Sequence, residues 1–108
     1  MNPFIPVSLF TVFIFLHNQQ EKEVLKIKVF NNDTLQTTIK TTGFGYDILR
    51  NDALYIHQPN IPAVAGDAGF SSAQNAQKTA KLVVYKIQHH ILPPTVSIHE
   101  LDSLGVLK

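Results

Sequence analysis

Between Gly43 and Lys86 the spacing of apolar residues changes from every second position to helical spacing, across a stretch where proline and glycine permit neither. Phe44, Tyr46 and Ile48 alternate with Gly45, Asp47 and Leu49, which predicts a half-buried strand. Arg50, Asn51 and Asp52 supply a turn, and Leu54 to His57 predicts the returning strand of a hairpin. Pro59, Pro62, Gly66 and Gly69 exclude regular structure from residue 58 to residue 69. Beyond them Ala73, Ala76, Ala80, Val83, Val84 and Ile87 recur at helical spacing, with Lys78, Lys81 and Lys86 elsewhere on the wheel. A sheet face and a helix face, each apolar, can be buried only against each other.

The flanking sequence fits the same plan. Leu25, Ile27 and Val29 alternate with Lys26 and Lys28 as a half-buried strand; Asn31, Asn32 and Asp33 are turn residues, and residues 35–40 predict a strand pairing back in a hairpin. Ser71 with Gln74 reads as a capping box opening the long helix, and Pro93-Pro94 closes it after His89 and His90. A second capping box, Ser97 to Glu100, has Val96 and Leu101 as a hydrophobic staple and Gly105 as a stop, predicting a short helix over 98–104. The fold class is therefore α+β: a small antiparallel sheet of three or four strands packed by one long helix, plus a short C-terminal helix. Ala76, Ala80, Val83, Val84 and Ile87 are expected to lie against Leu25, Ile27, Val29, Tyr46 and Ile48, the alanines allowing a close approach.

Residues 4–16, FIPVSLFTVFIFL, form an uncharged apolar run that gives way abruptly to HNQQEKE. A bilayer-spanning helix takes about 20 apolar residues, so a run of this length suits an export segment better. Residues 1–23 are thus expected to be an export signal or membrane anchor with a polar spacer, and residues 24–108 a single domain. The expected location is outside the cytoplasm, periplasmic or membrane-tethered. A formal charge of +1 and no basic stripe interleaved with aromatics argue against a nucleic-acid partner. The absence of cysteine excludes disulfides, thiolate zinc sites, a cysteine nucleophile and a lipidated cysteine anchor.

Candidate site residues gather around the irregular loop. His57, Gln58 and Asn60 stand where a strand enters it, with polar side chains able either to contact a ligand or to bond the loop's own main chain; Val64 is its apolar centre. Asp67, in Gly66-Asp67-Ala68-Gly69 before a capped helix, could border an anion site, but the lysine and spacing of a phosphate loop are missing. His89 and His90 are adjacent on a helix and point about 100° apart, so they do not form an i, i+4 metal pair. No G-x-S-x-G elbow is present, and Ser71, Ser97 and Glu100 are explained by capping. No catalytic residue, metal or cofactor is implied.

The order GYDIL at 45–49, IHQPNIPAV at 56–64, GFSS at 69–72, an alanine-rich helix to Ile87, PPTVS at 93–97 and ELDSLGVL at 100–107 resembles the domain of unknown function 4907 family. The resemblance covers about residues 24–107. It implies a small bacterial protein, of a group mostly from the Bacteroidetes and often carrying an export signal, and it brings no chemistry to transfer. Two functional readings follow. One is an exported, noncatalytic interaction module with an envelope protein partner, contacting it through the loop. The other is a small hydrolase or metal-dependent enzyme using His57 with Asp67 or Asp47.

Overall fold

The computed structural model describes residues 23–34 and 41–107. Three strands, β1 (Leu25–Asn31), β2 (Phe44–Arg50) and β3 (Ala53–Gln58), form an antiparallel sheet in the order β1-β2-β3 among the described residues. Two helices follow, α1 (Ala73–Gln88) and α2 (Ile98–Leu104). The chain thus has the α+β arrangement its periodicities predict. The apolar run at residues 4–16 and the predicted strand at 35–40 lie outside the described residues. The hydrogen-bonded neighbour of β1 is β2, in a register running from Leu25 opposite Arg50 to Asn31 opposite Phe44. No described helix is long and apolar enough to cross a membrane.

The β2–β3 hairpin turns on Asn51 and Asp52, both with positive φ (50° and 67°), as a two-residue turn matched to strand twist demands. Asn51 is fastened further by its side chain, whose Oδ1 accepts the Val24 N–H at 3.0 Å. Beyond the turn a bulge at Ile48/Leu49 shifts the register, so Leu49 pairs with Leu54 while Ile48 pairs with Ile56. The extra residue is Tyr55, and its ring lies 5.1 Å beneath the Arg50 guanidinium.

Helix α1 covers one face of the sheet. Ala76, Thr79, Ala80, Val83 and Ile87 are its buried residues, and they meet Tyr46 and Ile48 with Leu25, Ile27 and Val29 packed at the margin. Burying each large aliphatic side chain contributes about 1.5 to 3 kcal/mol. Val84, expected in this seam, is only half-buried, and Thr79 takes the place beside Ala76 and Ala80. The Thr79 hydroxyl donates to the Asn75 carbonyl at 3.0 Å, which is how a polar group is accommodated there.

The helix also begins one residue later than predicted. Ser72, not Ser71, is the N-cap, its Oγ accepting from Asn75 N–H at 3.1 Å, while the Ser71 Oγ accepts from the Asn75 side chain. The reason lies upstream. Phe70 is fully buried and held by two main-chain hydrogen bonds to Phe44, so Ser71 is spent on turning the chain away from that bridge.

Both helices end in the same arrangement. After α1, His90 N–H bonds the Ile87 carbonyl and Ile91 N–H the Lys86 carbonyl; after α2, Gly105 and Val106 bond Asp102 and Leu101 in the same way. This pairing requires a left-handed residue, supplied by Gly105 (φ 73°) in one case and by His90 (φ 57°) in the other. Helix α2 has the full capping box of Ser97 and Glu100. Its staple residues Val96 and Leu101, with Val106, complete the core.

Lysine 86, read from the sequence as lying off the apolar face, in fact joins the two helices. Its Nζ donates to the Thr95 carbonyl at 2.6 Å and to Glu100 Oε1 at 2.8 Å, with only 12% of the side chain exposed. The Lys86 ammonium, and then the Ser97 N–H, hold the Glu100 carboxyl below its ordinary pKa. Residues 93–96 are thereby pinned across the end of α1.

Candidate functional site

The loop between β3 and α1 is packed and cross-linked. The Gln58 amide nitrogen donates to the Asn60 carbonyl at 2.8 Å, the Ile61 N–H to the Ala68 carbonyl at 2.9 Å, and the Gly69 N–H to the Thr42 carbonyl at 2.7 Å. Asn32, buried at the end of β1, donates from its side chain to the Pro59 carbonyl at 2.8 Å. Ile61 and Val64 pack on the core. Glycine is needed where this loop crosses the sheet: a Cβ on Gly69 would stand 2.5 Å from the Thr42 oxygen, and one on Gly45 would stand 2.5 Å from the Gln58 oxygen.

Held this way, the loop forms one wall of a cleft of about 460 Å³. Pro62 and Ala63 face Val83 of α1 and the segment Pro94, Thr95 and Val96, and the floor is Tyr46, Ile56 and Gln58. That size is within the range of small-ligand pockets, and the lining is mostly apolar with a few polar groups, as such pockets usually are. Tyr46 is 2% exposed and its ring is tilted against Phe70 at 6.2 Å. Burial pushes its phenol up to about 12. Among the described residues its hydroxyl has no hydrogen-bond partner. No fully buried side-chain oxygen or nitrogen lacks a partner among the described residues, so that oxygen keeps a little exposed surface, and Tyr46 is one of the residues that line the cleft.

The opposite sheet face carries a different pair. Asp47 and His57 are register partners on β2 and β3, and His57 Nδ1 donates to Asp47 Oδ1 at 2.5 Å. The imidazole stacks on Phe30 at 5.3 Å between ring centres, nearly parallel. Half of the His57 side chain is exposed.

The model of the family described as Domain of unknown function (DUF4907) matches residues 36–103 of the chain. The chain belongs to the DUF4907 family. Comparison with curated proteins and with solved structures returned no match. The DUF4907 match takes in β2, β3, the loop, α1 and nearly all of α2, and so contains both the cleft and the Asp47–His57 pair.

Within this DUF4907 domain the five sequence candidates do not converge. Strand alternation sends Gln58 into the cleft and His57 to the other face. Asn60 is used internally, accepting from Gln58 and donating at 3.5 Å to the Gly66 carbonyl. Val64 packs on the core, and Asp67 is exposed with no ion pair among the described residues. His57 has Asp47 rather than Asp67 as its partner. His89 donates from Nδ1 to the Tyr85 carbonyl at 2.8 Å and stacks on that tyrosine at 3.9 Å. Among the described residues no three His, Asp or Glu side chains stand close enough together to hold a metal ion.

Sequence reasoning left out Tyr46, Thr95 and Val96 as site residues. For Tyr46 a signal existed: it is the one hydroxyl-bearing residue of the predicted apolar strand face. Thr95 and Val96 gave none, because the fastening of their segment over the cleft by Lys86 is a tertiary matter.

Proposed function

We propose that this DUF4907 protein is a small exported, noncatalytic binding module of the bacterial envelope, contacting a protein partner through the loop at residues 56–69 and the adjoining end of the sheet. The observation that carries this reading is the cleft itself, a cross-linked loop set over a buried tyrosine whose hydroxyl has no partner among the described residues. A loop already ordered by its own hydrogen bonds loses little conformational freedom on association. Export rests on the uncharged run at residues 4–16 followed by a polar spacer. A pull-down from envelope extract is expected to recover a partner with the parent protein and to lose it when Gln58, Asn60 and Val64 are changed together to alanine. Retention of every partner by that variant removes the loop from the interface. Recovery of chain beginning at Met1 from the soluble cytoplasm ends the export reading.

The Asp47–His57 hydrogen bond favours a second reading, a small hydrolase or metal-dependent enzyme in which Asp47 orients His57 as a base. A general base needs a nucleophile or bound water within reach; the chain has no cysteine, and among the described residues no serine is hydrogen-bonded to His57 or Asp47. Turnover of an ester, peptide or glycoside substrate that is lost in His57→Ala would favour this reading over the first.

A further inference from the structure

We infer that the cleft recognises an uncharged peptide segment of the partner, seating an aliphatic side chain against the apolar wall while its main-chain amide is read by Tyr46 and Gln58. This rests on the binding-module reading above and narrows it to a ligand chemistry. The apolar wall is Ile56, Pro62, Ala63, Val83 and Val96. Three polar residues interrupt it, Tyr46, Gln58 and Thr95, and the first two offer groups complementary to an amide. The Tyr46 hydroxyl is a donor with no acceptor among the described residues. Gln58 spends its amide nitrogen on the Asn60 carbonyl, which can only accept, so its Oε1 is left as an acceptor at the cleft. Tyr46 and Gln58 are register partners on β2 and β3, so donor and acceptor issue from facing positions. A carbonyl oxygen meets the first and an N–H meets the second.

Charge selects against the alternatives. Among the described residues no cationic group lines the cleft, and the neighbouring ammonium of Lys86 is already committed to Thr95 and Glu100, so a carboxylate or phosphate entering there meets no counter-ion from them. The same absence of a carboxylate in the lining leaves an ammonium unpaired. Removing a charge from water without a partner is far more costly than removing an amide whose two hydrogen bonds are remade.

The test is an amide-resolved NMR titration of the full chain with the blocked dipeptide acetyl-leucyl-alanine amide, alongside the same dipeptide ending in a free carboxylate. The blocked form is expected to shift the main-chain signals of Tyr46, Ile56, Val83 and Val96, and the acid to bind at least several-fold more weakly. Tyr46→Phe, which deletes only an unpartnered oxygen, is expected to keep the fold and to lower affinity for the blocked dipeptide about tenfold. Equal affinity of parent and Tyr46→Phe, equal affinity for the two peptides, or the absence of shifts around the cleft overturns the inference. The envelope pull-down judges the binding-module reading independently, because a partner lost with the loop variant but indifferent to Tyr46→Phe leaves that reading standing without the amide chemistry.

Discussion

Two neighbouring cross-strand pairs, Tyr46 with Gln58 and Asp47 with His57, occupy consecutive rungs of the same hairpin and have opposite fates. Alternation along the strands puts the first pair on the face covered by α1 and the second on the other face, the open face in the sense that no described helix covers it. On the covered side a phenol is 2% exposed and its hydroxyl has no hydrogen-bond partner among the described residues. On the open side a histidine is half exposed and has two, a carboxylate and an aromatic ring. The more reactive-looking pair is thus the better satisfied one, while the pair with an unmet hydrogen bond belongs to a tyrosine that resembles core. Unmet polarity in a confined space is the stronger sign of a ligand, because satisfied polarity on a surface needs no further explanation.

The sharpest way to break this contrast is to show that the two faces are not energetically distinct. Ile48 is completely buried under α1, and Leu54, near the bulge, is 60% exposed. Ile48→Ala is expected to cost about 2 to 5 kcal/mol of unfolding free energy, and Leu54→Ala less than about 0.5 kcal/mol. Urea denaturation of the two variants checks this. Comparable losses would mean that the open face is covered in solution, and that Asp47 and His57 lie in an interface.

The second prediction concerns Tyr46 alone. Its phenol titrates near 10 in the unfolded chain and is pushed up to about 12 by burial in the folded one. The folded state therefore holds the proton more tightly. The resulting contribution is fully present below pH 10 and is lost as pH rises through 12, at about 1.4 kcal/mol per pH unit and about 2 to 3 kcal/mol in all. Urea midpoints measured at pH 9, 10 and 11 should fall more steeply for the parent than for Tyr46→Phe. At neutral pH the two should be nearly equally stable, since the deleted hydroxyl has no protein partner to orphan. A marked loss of stability in Tyr46→Phe at pH 7 would mean that the hydroxyl is bonded in the folded protein and not free for a ligand.

Much of this architecture was legible before any coordinates, and the illegible part has a common cause. The period-2 patterns of β1, β2 and β3, the helical spacing of α1, the Ser97–Glu100 box and the Gly105 stop depend on residues close in sequence, and each appears where the sequence puts it apart from the one-residue shift at the start of α1. The N-cap at Ser72, the Lys86 bridge to Glu100 and the Asn32 tie to Pro59 depend on partners 14 to 27 residues apart or on a bridge such as Phe44 to Phe70. The cleft depends on such non-local placements, so its wall residues carry no local signature. The loop could be found from its prolines and glycines. Which of its neighbours would look into the same space could not, and strand alternation between His57 and Gln58, though readable, was not enough to choose the face that holds a site.

The smallest effect tests the open-face pair. A hydrogen bond between a carboxylate and a half-exposed histidine contributes little, because water competes for both groups and ordering two side chains offsets part of the gain. A double-mutant cycle with His57→Ala, Asp47→Ala and the double variant is expected to give a coupling of about 0.2 to 1 kcal/mol in urea denaturation. Part of the His57→Ala loss lies outside that coupling, since the imidazole also covers Phe30 at 5.3 Å. Phe30→Leu should therefore lower stability by an amount that largely disappears in the His57→Ala background. A coupling well above 1 kcal/mol would show that Asp47 and His57 are more desolvated than their exposure allows. The pair would then no longer be the satisfied surface contact set against Tyr46, and the second functional reading would gain the weight that the first now holds.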